Sequence, residues 1–319
     1  MATIERVLVT GCLGFIGSHF VKYLLKADPD LKVVGLSRNT DQKNQARIED
    51  VLNDPNFQLI YRDLNDANLT EDLEGIDIVF NFGAKTFVDY SIRDPKPFME
   101  SNLMGTFNLL EASRKNQCGL YVQISTDEVY GTISEGKHTE KSPLNPTNPY
   151  ASTKAGGDML CLSYAETYCM PVLITRTENN YGYYQHQQKV MPTFVRKALS
   201  NQKLPLYGDG KHKRMWLRVE DHCSAIWHLI QHGYRGIVNI AGNEELENIE
   251  LAKLILQTLD REEDQIQFID DRKIRPSHDR RYAIDASLLL STGWKPKYKL
   301  KEGIIDAVKW YEENEWWFS

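Results

Sequence analysis

Thr10-Gly11-Cys12-Leu13-Gly14-Phe15-Ile16-Gly17 follows a short β-branched run, Arg6-Val7-Leu8-Val9-Thr10, and opens a helical pattern that continues to Ala27. Gly11 permits a tight turn, Gly14 lets backbone approach a pyrophosphate, and Gly17 lets the helix pack close to the strand. The start of that helix offers free N–H groups and a positive dipole end to phosphates. A glycine triplet alone is weak evidence. Set after the first strand and before an amphipathic helix, it marks a dinucleotide-binding turn. A glycine-rich turn without a ligand is the alternative. The cofactor contacts expected here are Gly11, Gly14, Phe15, Ile16 and Gly17.

Outward from this turn, strand-like and helical patterns alternate. The strand-like runs are Arg6–Thr10, Lys32–Leu36, Phe57–Tyr61, Asp77–Phe82, Leu120–Ser125 and Val172–Arg176. Most are nearly continuous apolar runs, as expected of parallel strands covered on both faces. Helical patterns lie at Phe15–Ala27, Pro95–Asn116 and Tyr150–Tyr168. The series predicts right-handed βαβ units and a Rossmann-type, doubly wound α/β sheet. After Thr177 the pattern loosens into helices at Val190–Ser200, Val219–His232, Asn248–Leu259 and Lys301–Asn314, with one strand at Gly236–Ala241. The expected organisation is a dinucleotide-binding domain over 1–177, with 219–241 returning to it, and a smaller α/β substrate lobe over 178–319.

The chain has 319 residues, enough for one large and one smaller unit. A net charge of -6 gives no global attraction to nucleic acid or anionic membranes. No stretch of about 18 apolar residues and no leader-like start are seen, so a membrane partner is not expected. The five cysteines (12, 118, 161, 169 and 223) show no paired spacing, which fits reduced thiols and a cytoplasmic protein. His228 and His232 could share a helix face, but no third ligand accompanies them, so no metal site is expected.

The end of the second strand-like run reads Gly35-Leu36-Ser37-Arg38-Asn39. The acid that usually meets the ribose 2′-hydroxyl is missing there. Arg38 would suit a 2′-phosphate, or else stack on adenine or stay solvated. NAD is the expected cofactor and NADP stays open. Ser37, Arg38, Asp63 and Leu64 are the adenosine-side candidates.

Tyr150-Ala151-Ser152-Thr153-Lys154 starts a helical pattern, and spacing of four puts Tyr150 and Lys154 on one face. A phenol with a pKa near 10 is a poor base at neutral pH; lowering it to about 7 requires roughly 4 kcal/mol. The Lys154 ammonium and an oxidised nicotinamide would both favour phenolate. Such a pair alone is often a mere exposed helical pair. Here Ser125-Thr126-Asp127-Glu128 ends the fifth strand, where ligands of doubly wound sheets sit. Thr126, Asp127, Glu128, Tyr150 and Lys154 form the expected catalytic set, although either acid alone would read as a cap or surface charge.

Together these motifs resemble the extended short-chain dehydrogenase/reductases, and among them the nucleotide-sugar 4,6-dehydratases of the dTDP-glucose type. The likeness spans nearly the whole chain and includes Asn179-Asn180-Tyr181-Gly182, Lys189, Tyr207-Gly208-Asp209-Gly210 with Arg214 and Trp216, and Arg275 through Tyr282. The resemblance implies that Tyr150 takes the 4-hydroxyl proton of dTDP-glucose or UDP-glucose while C4 is oxidised. Glu128 then acts as base at C5, Asp127 protonates the departing 6-hydroxyl, and hydride returns to C6. It implies substrate contacts at Thr86, Asn180, Lys189, Arg214, Asn248, Arg275 and His278. From the basic cluster Arg272, Lys273, Arg275, Arg280 and Arg281, with Arg214, one or two side chains are expected to touch a diphosphate. A homodimer through a four-helix bundle of Pro95–Asn116 and Tyr150–Tyr168 is also implied. Phe87, Glu178, Gln188 and Met215 depart from the family pattern. A 4-epimerase or uronate decarboxylase needs the same Tyr/Lys pair without the two acids, and a cofactor-sensing module needs only the glycine turn.

Overall fold

The computed structural model describes residues 4–242, 244–272, 274–276 and 279–319. The first six strands are β1 (Arg6–Thr10), β2 (Lys32–Ser37), β3 (Phe57–Tyr61), β4 (Ile78–Asn81), β5 (Leu120–Thr126) and β6 (Val172–Thr177). Six more follow: β7 (Asn179–Tyr181), β8 (Leu204–Tyr207), β9 (Lys213–Arg218), β10 (Gly236–Ile240), β11 (Glu245–Glu247) and β12 (Ile266–Ile269). A seven-stranded sheet runs in the order β10-β6-β5-β4-β1-β2-β3, and every pairing in it is parallel. Strand order reverses between β1 and β4, which places a crevice beyond their carboxyl ends.

Alternation along each strand serves two apolar layers, one on each face of the large sheet, which together make the first core. Val7, Val9, Phe80 and Val122 join Phe20 and Leu24 of the Phe15–Ala27 helix and Ile226 and Trp227 of the Val219–Gln231 helix. Leu8, Val34, Val79 and Tyr121 face the other way, onto Leu109 and Leu110 of the Gly105–Lys115 helix and Cys161 and Tyr164 of the Pro149–Tyr168 helix. Covered on both faces, the strands need no polar side, which is why they read as apolar runs. β10 pairs with β6, so the chain returns to the large sheet after Arg218.

A second core gathers Phe194, Leu206, Ile255, Val308 and Trp317 from three helices, the β8 region and the turn Glu315–Phe318. Two small sheets accompany it, in the orders β11-β9-β7 and β12-β8. The sequence pattern left these strands in loops. They span three to six residues, too few to display a period, and Asn179-Asn180 and Glu245/Glu247 carry polar side chains.

The expected Pro95–Asn116 helix is broken in character: Lys96–Phe98 leads into a π-helical turn, Met99–Met104, before Gly105–Lys115. Asn102 in that turn is 2% exposed. Its side chain accepts from the Lys85 backbone N–H and donates to the Lys85 carbonyl and to Thr153 Oγ1. One side chain thereby ties the segment after β4 to the Pro149–Tyr168 helix. Such widened turns occur often beside functional sites.

Candidate active site

A cavity of about 760 Å³ opens at the carboxyl edge of the sheet, between the two cores. One end is the glycine turn. Gly11 has φ +64°, a conformation that side chains disfavour. A Cβ added at Gly17 would stand 2.4 Å from the Gly11 carbonyl oxygen, so only glycine lets the helix close onto the turn. The Phe15–Ala27 helix has no side-chain cap and no acid in its first turn. Its leading N–H groups therefore remain available to an anion. Gly11, Gly14, Phe15, Ile16 and Gly17 all line the cavity. These residues fit a dinucleotide diphosphate. Gly17→Ala is expected to cost about 1–3 kcal/mol, measured by urea unfolding, and to weaken dinucleotide binding. Unchanged stability would contradict the close approach.

The adenosine-side candidates lie outside this cavity lining. Ser37 accepts from the Asn39 N–H, and Leu64 is packed beside Gly83 and Gly105. Arg38 donates to Asp63 at 3.4 Å. Arg38 thus has a carboxylate partner from within the protein.

At the cavity's centre, the Pro149–Tyr168 helix begins with Asn148 as cap and Pro149 in its first turn. Asn148 Oδ1 accepts from the Ala151 N–H at 2.9 Å, and its Nδ2 donates to Glu128 at 3.3 Å. A single residue thus starts the helix and holds one acid. The Thr126 side chain favours the ionised form of the nearby Tyr150 phenol, and Thr126 Oγ1 donates to Asp127 at 3.1 Å. Thr126, Glu128, Tyr150 and Lys154 line the cavity, whereas Asp127 is buried behind it, 3% exposed.

The two acids have unusual proton affinities. Burial first, and the Glu128 charge second, push the Asp127 carboxyl up to about 7. Burial also raises Glu128, against the cations Lys189 and Arg214. Two facing carboxyls in a site with little water do not ionise together easily. Lys189 is lowered to about 8, mainly by burial.

Tyr150 corrects one expectation. Its phenol is pushed up, by burial first and by the Glu128 charge next. The Lys154 ammonium donates to the Ile124 carbonyl at 2.5 Å. The protein's own field therefore opposes phenolate, because the phenol is buried beside two acids.

At the far end, Thr86, Asn180, Lys189, Arg214, Asn248 and Arg275 all line the cavity. Lys189 donates to the Thr86 carbonyl at 2.9 Å and lies 4.6 Å over the Phe87 ring. Arg275 pairs with Asp89 at 2.5 Å, and Arg214 stacks over Tyr282 at 4.5 Å. Of the basic cluster, Arg272, Arg280 and Arg281 pair elsewhere, with Asp270, Asp209 and Glu245. His278 and Lys273 lie outside the described residues. Buried Asn180 Oδ1, Asn248 Oδ1, Gln185 Oε1 and Glu178 Oε2 have no partner among the described residues, and all four residues line the cavity. Buried polar atoms are rarely left so, and a polar ligand would satisfy them.

Sequence reasoning missed Arg47, Gln185 and His186, which also line the cavity. Arg47 sits in a polar segment crowded with charges, where no spacing singles it out. His186 meets Phe87 edge to face at 4.9 Å, so the Phe87 departure is matched by an aromatic neighbour.

Residues 8–307 match the GDP-mannose 4,6 dehydratase family. The chain is 43% identical to the low-salt glycan biosynthesis protein Agl12 of Haloferax volcanii, over 96% of this chain and 98% of that one. It is 38% identical to a dTDP-glucose 4,6-dehydratase of Streptomyces niveus, covering 98% and 94%. The crystal structure of DesIV, a dTDP-glucose 4,6-dehydratase from Streptomyces venezuelae with NAD bound, superposes with a TM-score of 0.93 at 41% identity, covering 98% of both chains. The glycine turn, the paired acids and the Tyr150 helix thus stand in a chain that belongs to the GDP-mannose 4,6 dehydratase family, the nucleotide-sugar 4,6-dehydratases of the extended short-chain dehydrogenase/reductases.

Proposed function

We propose that the protein is an NAD-dependent NDP-glucose 4,6-dehydratase that converts its substrate to the 4-keto-6-deoxy sugar. The observation that carries this reading is the pair Asp127 and Glu128 beside Tyr150, both acids with raised proton affinity. Bound NAD would supply the hydride acceptor for C4 and the hydride donor for C6. Phe15 and Ile16 would hold its diphosphate with backbone N–H groups, the Gly14 N–H being donated to the Gly11 carbonyl within the turn. The Arg38–Asp63 pair supports NAD over NADP, since the Asp63 carboxylate would repel a 2′-phosphate.

Tyr150 receives the 4-hydroxyl proton, and the Thr126 hydroxyl positions that oxygen. The 4-ketone acidifies the C5 proton, which Glu128 removes and gives back to C5 once hydride has reached C6. Asp127, still protonated near neutral pH, delivers its proton to the leaving 6-hydroxyl, and water departs. Separated roles need separated affinities, and the more buried Asp127 is the natural acid. Asn180, Lys189, Arg214, Asn248 and Arg275 would contact the nucleoside diphosphate, with arginine forks suited to phosphate oxygens. A 4-epimerase or decarboxylase would leave the two acids without work.

Incubation with dTDP-glucose and UDP-glucose tests the reading. A keto product absorbing in alkali is expected; an epimer, or no product from either, would refute it. The pH profile follows from the same pair. Asp127 must carry its proton, so turnover is expected to fall as pH rises through about 7. Glu128 must lack one, so turnover also falls on the acid side, at a pH above the ordinary carboxylate range. Turnover that stays flat from about pH 5 to 9 would contradict these roles.

The organisation we favour is a dinucleotide-binding domain over 1–177 joined by 219–241, with 178–319 as substrate lobe. A homodimer through a four-helix bundle is supported by Met99, Met104, Phe107, Met159 and Tyr168, 38–51% exposed on the two helical segments. All five cysteines are free, and no helix among the described residues is long and apolar enough to cross a membrane. Both features fit a cytoplasmic enzyme.

A further inference from the structure

Arg47 lies between β2 and β3 and is 3% exposed, yet it lines the cavity beside Gly14, Phe15 and Ile16. Its guanidinium donates to the Leu13 carbonyl at 2.9 Å, to the Tyr184 carbonyl at 3.1 Å, and to Asn44 Oδ1. Leu13 belongs to the glycine turn itself. Trp317 forms a wall 4.8 Å from the guanidinium, and its own indole N–H is fixed on the Gln185 carbonyl. Every one of these acceptors is neutral. Asp41 acts on Arg47 only through space, and its carboxylate caps the short helix Gln42–Gln45.

A buried cation without a contacting counter-charge is costly. Burial indeed lowers the Arg47 guanidinium to about 10. The nearby helix start adds a second positive feature, uncapped and without an acid. Positive groups gathered around one cavity wall define an anion site.

We propose that Arg47 is a cofactor-binding residue that contacts the diphosphate of the dinucleotide, a cation the glycine motif itself does not contain. The proposal rests on the dinucleotide reading above. Trp317 and Tyr184 hold the side chain from the second core, so the small lobe helps to shape the phosphate end of the cofactor groove.

Arg47→Met keeps the apolar stem against Trp317 and removes the charge. NAD is titrated into charcoal-treated parent and variant at low and high salt, and NAD retained on purification is quantified chromatographically. The variant is expected to bind NAD about 10- to 100-fold more weakly, with a shallower salt dependence. Adenosine, which has no phosphate, should bind both alike. Affinities for NAD within twofold, or a parallel loss for adenosine, would overturn the proposal. A parent that binds no NAD would overturn the dinucleotide reading as well. Should the variant not fold, a crystal structure of the NAD-bound parent decides: the guanidinium is expected about 3 Å from a diphosphate oxygen, and a separation bridged only by water refutes the contact.

Discussion

Tyr150→Phe is expected to lower turnover about 100- to 10,000-fold while fold and NAD binding remain intact. The ring is buried, 8% exposed, and phenylalanine keeps its packing. What disappears is the hydroxyl that lies near Thr126 and would receive the 4-hydroxyl proton. Thr126 retains Asp127 as a partner, so little disorder should follow. Burial and the Glu128 charge both oppose phenolate, so a positive charge from outside the polypeptide has to offset them. An oxidised nicotinamide supplies one. Ultraviolet titration should then find phenolate at lower pH with NAD bound than without it. Wild-type turnover in Tyr150→Phe, or the same phenol titration in both states, would refute this account.

Asp127→Asn should separate the chemistry into halves. Asparagine can still accept from the Thr126 hydroxyl, so the geometry is kept while the acid proton is lost. Oxidation at C4 should proceed, because Tyr150 is untouched. Loss of water should slow about 100- to 10,000-fold. Reduced nicotinamide absorbance would then build up after sugar nucleotide is added, and the alkali-absorbing product would appear slowly. Should product form at the parent rate, Asp127 is not the acid. Glu128→Gln should also stop before water loss, but with the C5 proton retained, which exchange in deuterated water would reveal.

The large sheet was legible because buried parallel strands leave continuous apolar runs and the glycine turn announces where they begin. Boundaries such as Arg6–Thr10 and Phe15–Ala27 coincide with the structure. The small sheets were not legible, since three residues such as Asn179-Asn180-Tyr181, two of them polar, show no period. In the site, Thr126, Glu128, Tyr150 and Lys154 meet in one cavity, as strand-end and helix spacing imply. The direction in which Tyr150 is shifted was hidden, because it depends on burial and on acids brought in from another element. Arg47 was hidden for a similar reason: its partners are the Leu13 and Tyr184 carbonyls, and backbone acceptors carry no residue signature.

The π-helical turn at Met99–Met104 bears on how this chain can change in length. Each residue of an ordinary helix advances the direction of its side chains by about 100°. Deleting one residue there would let the segment relax into a regular helix, locally a gain. The same edit would swing Asn102 away from Lys85 and Thr153, or else rotate Leu109 and Leu110 out of the core. Insertions and deletions should therefore be rare in this stretch among natural variants, even where its exposed positions drift freely in identity.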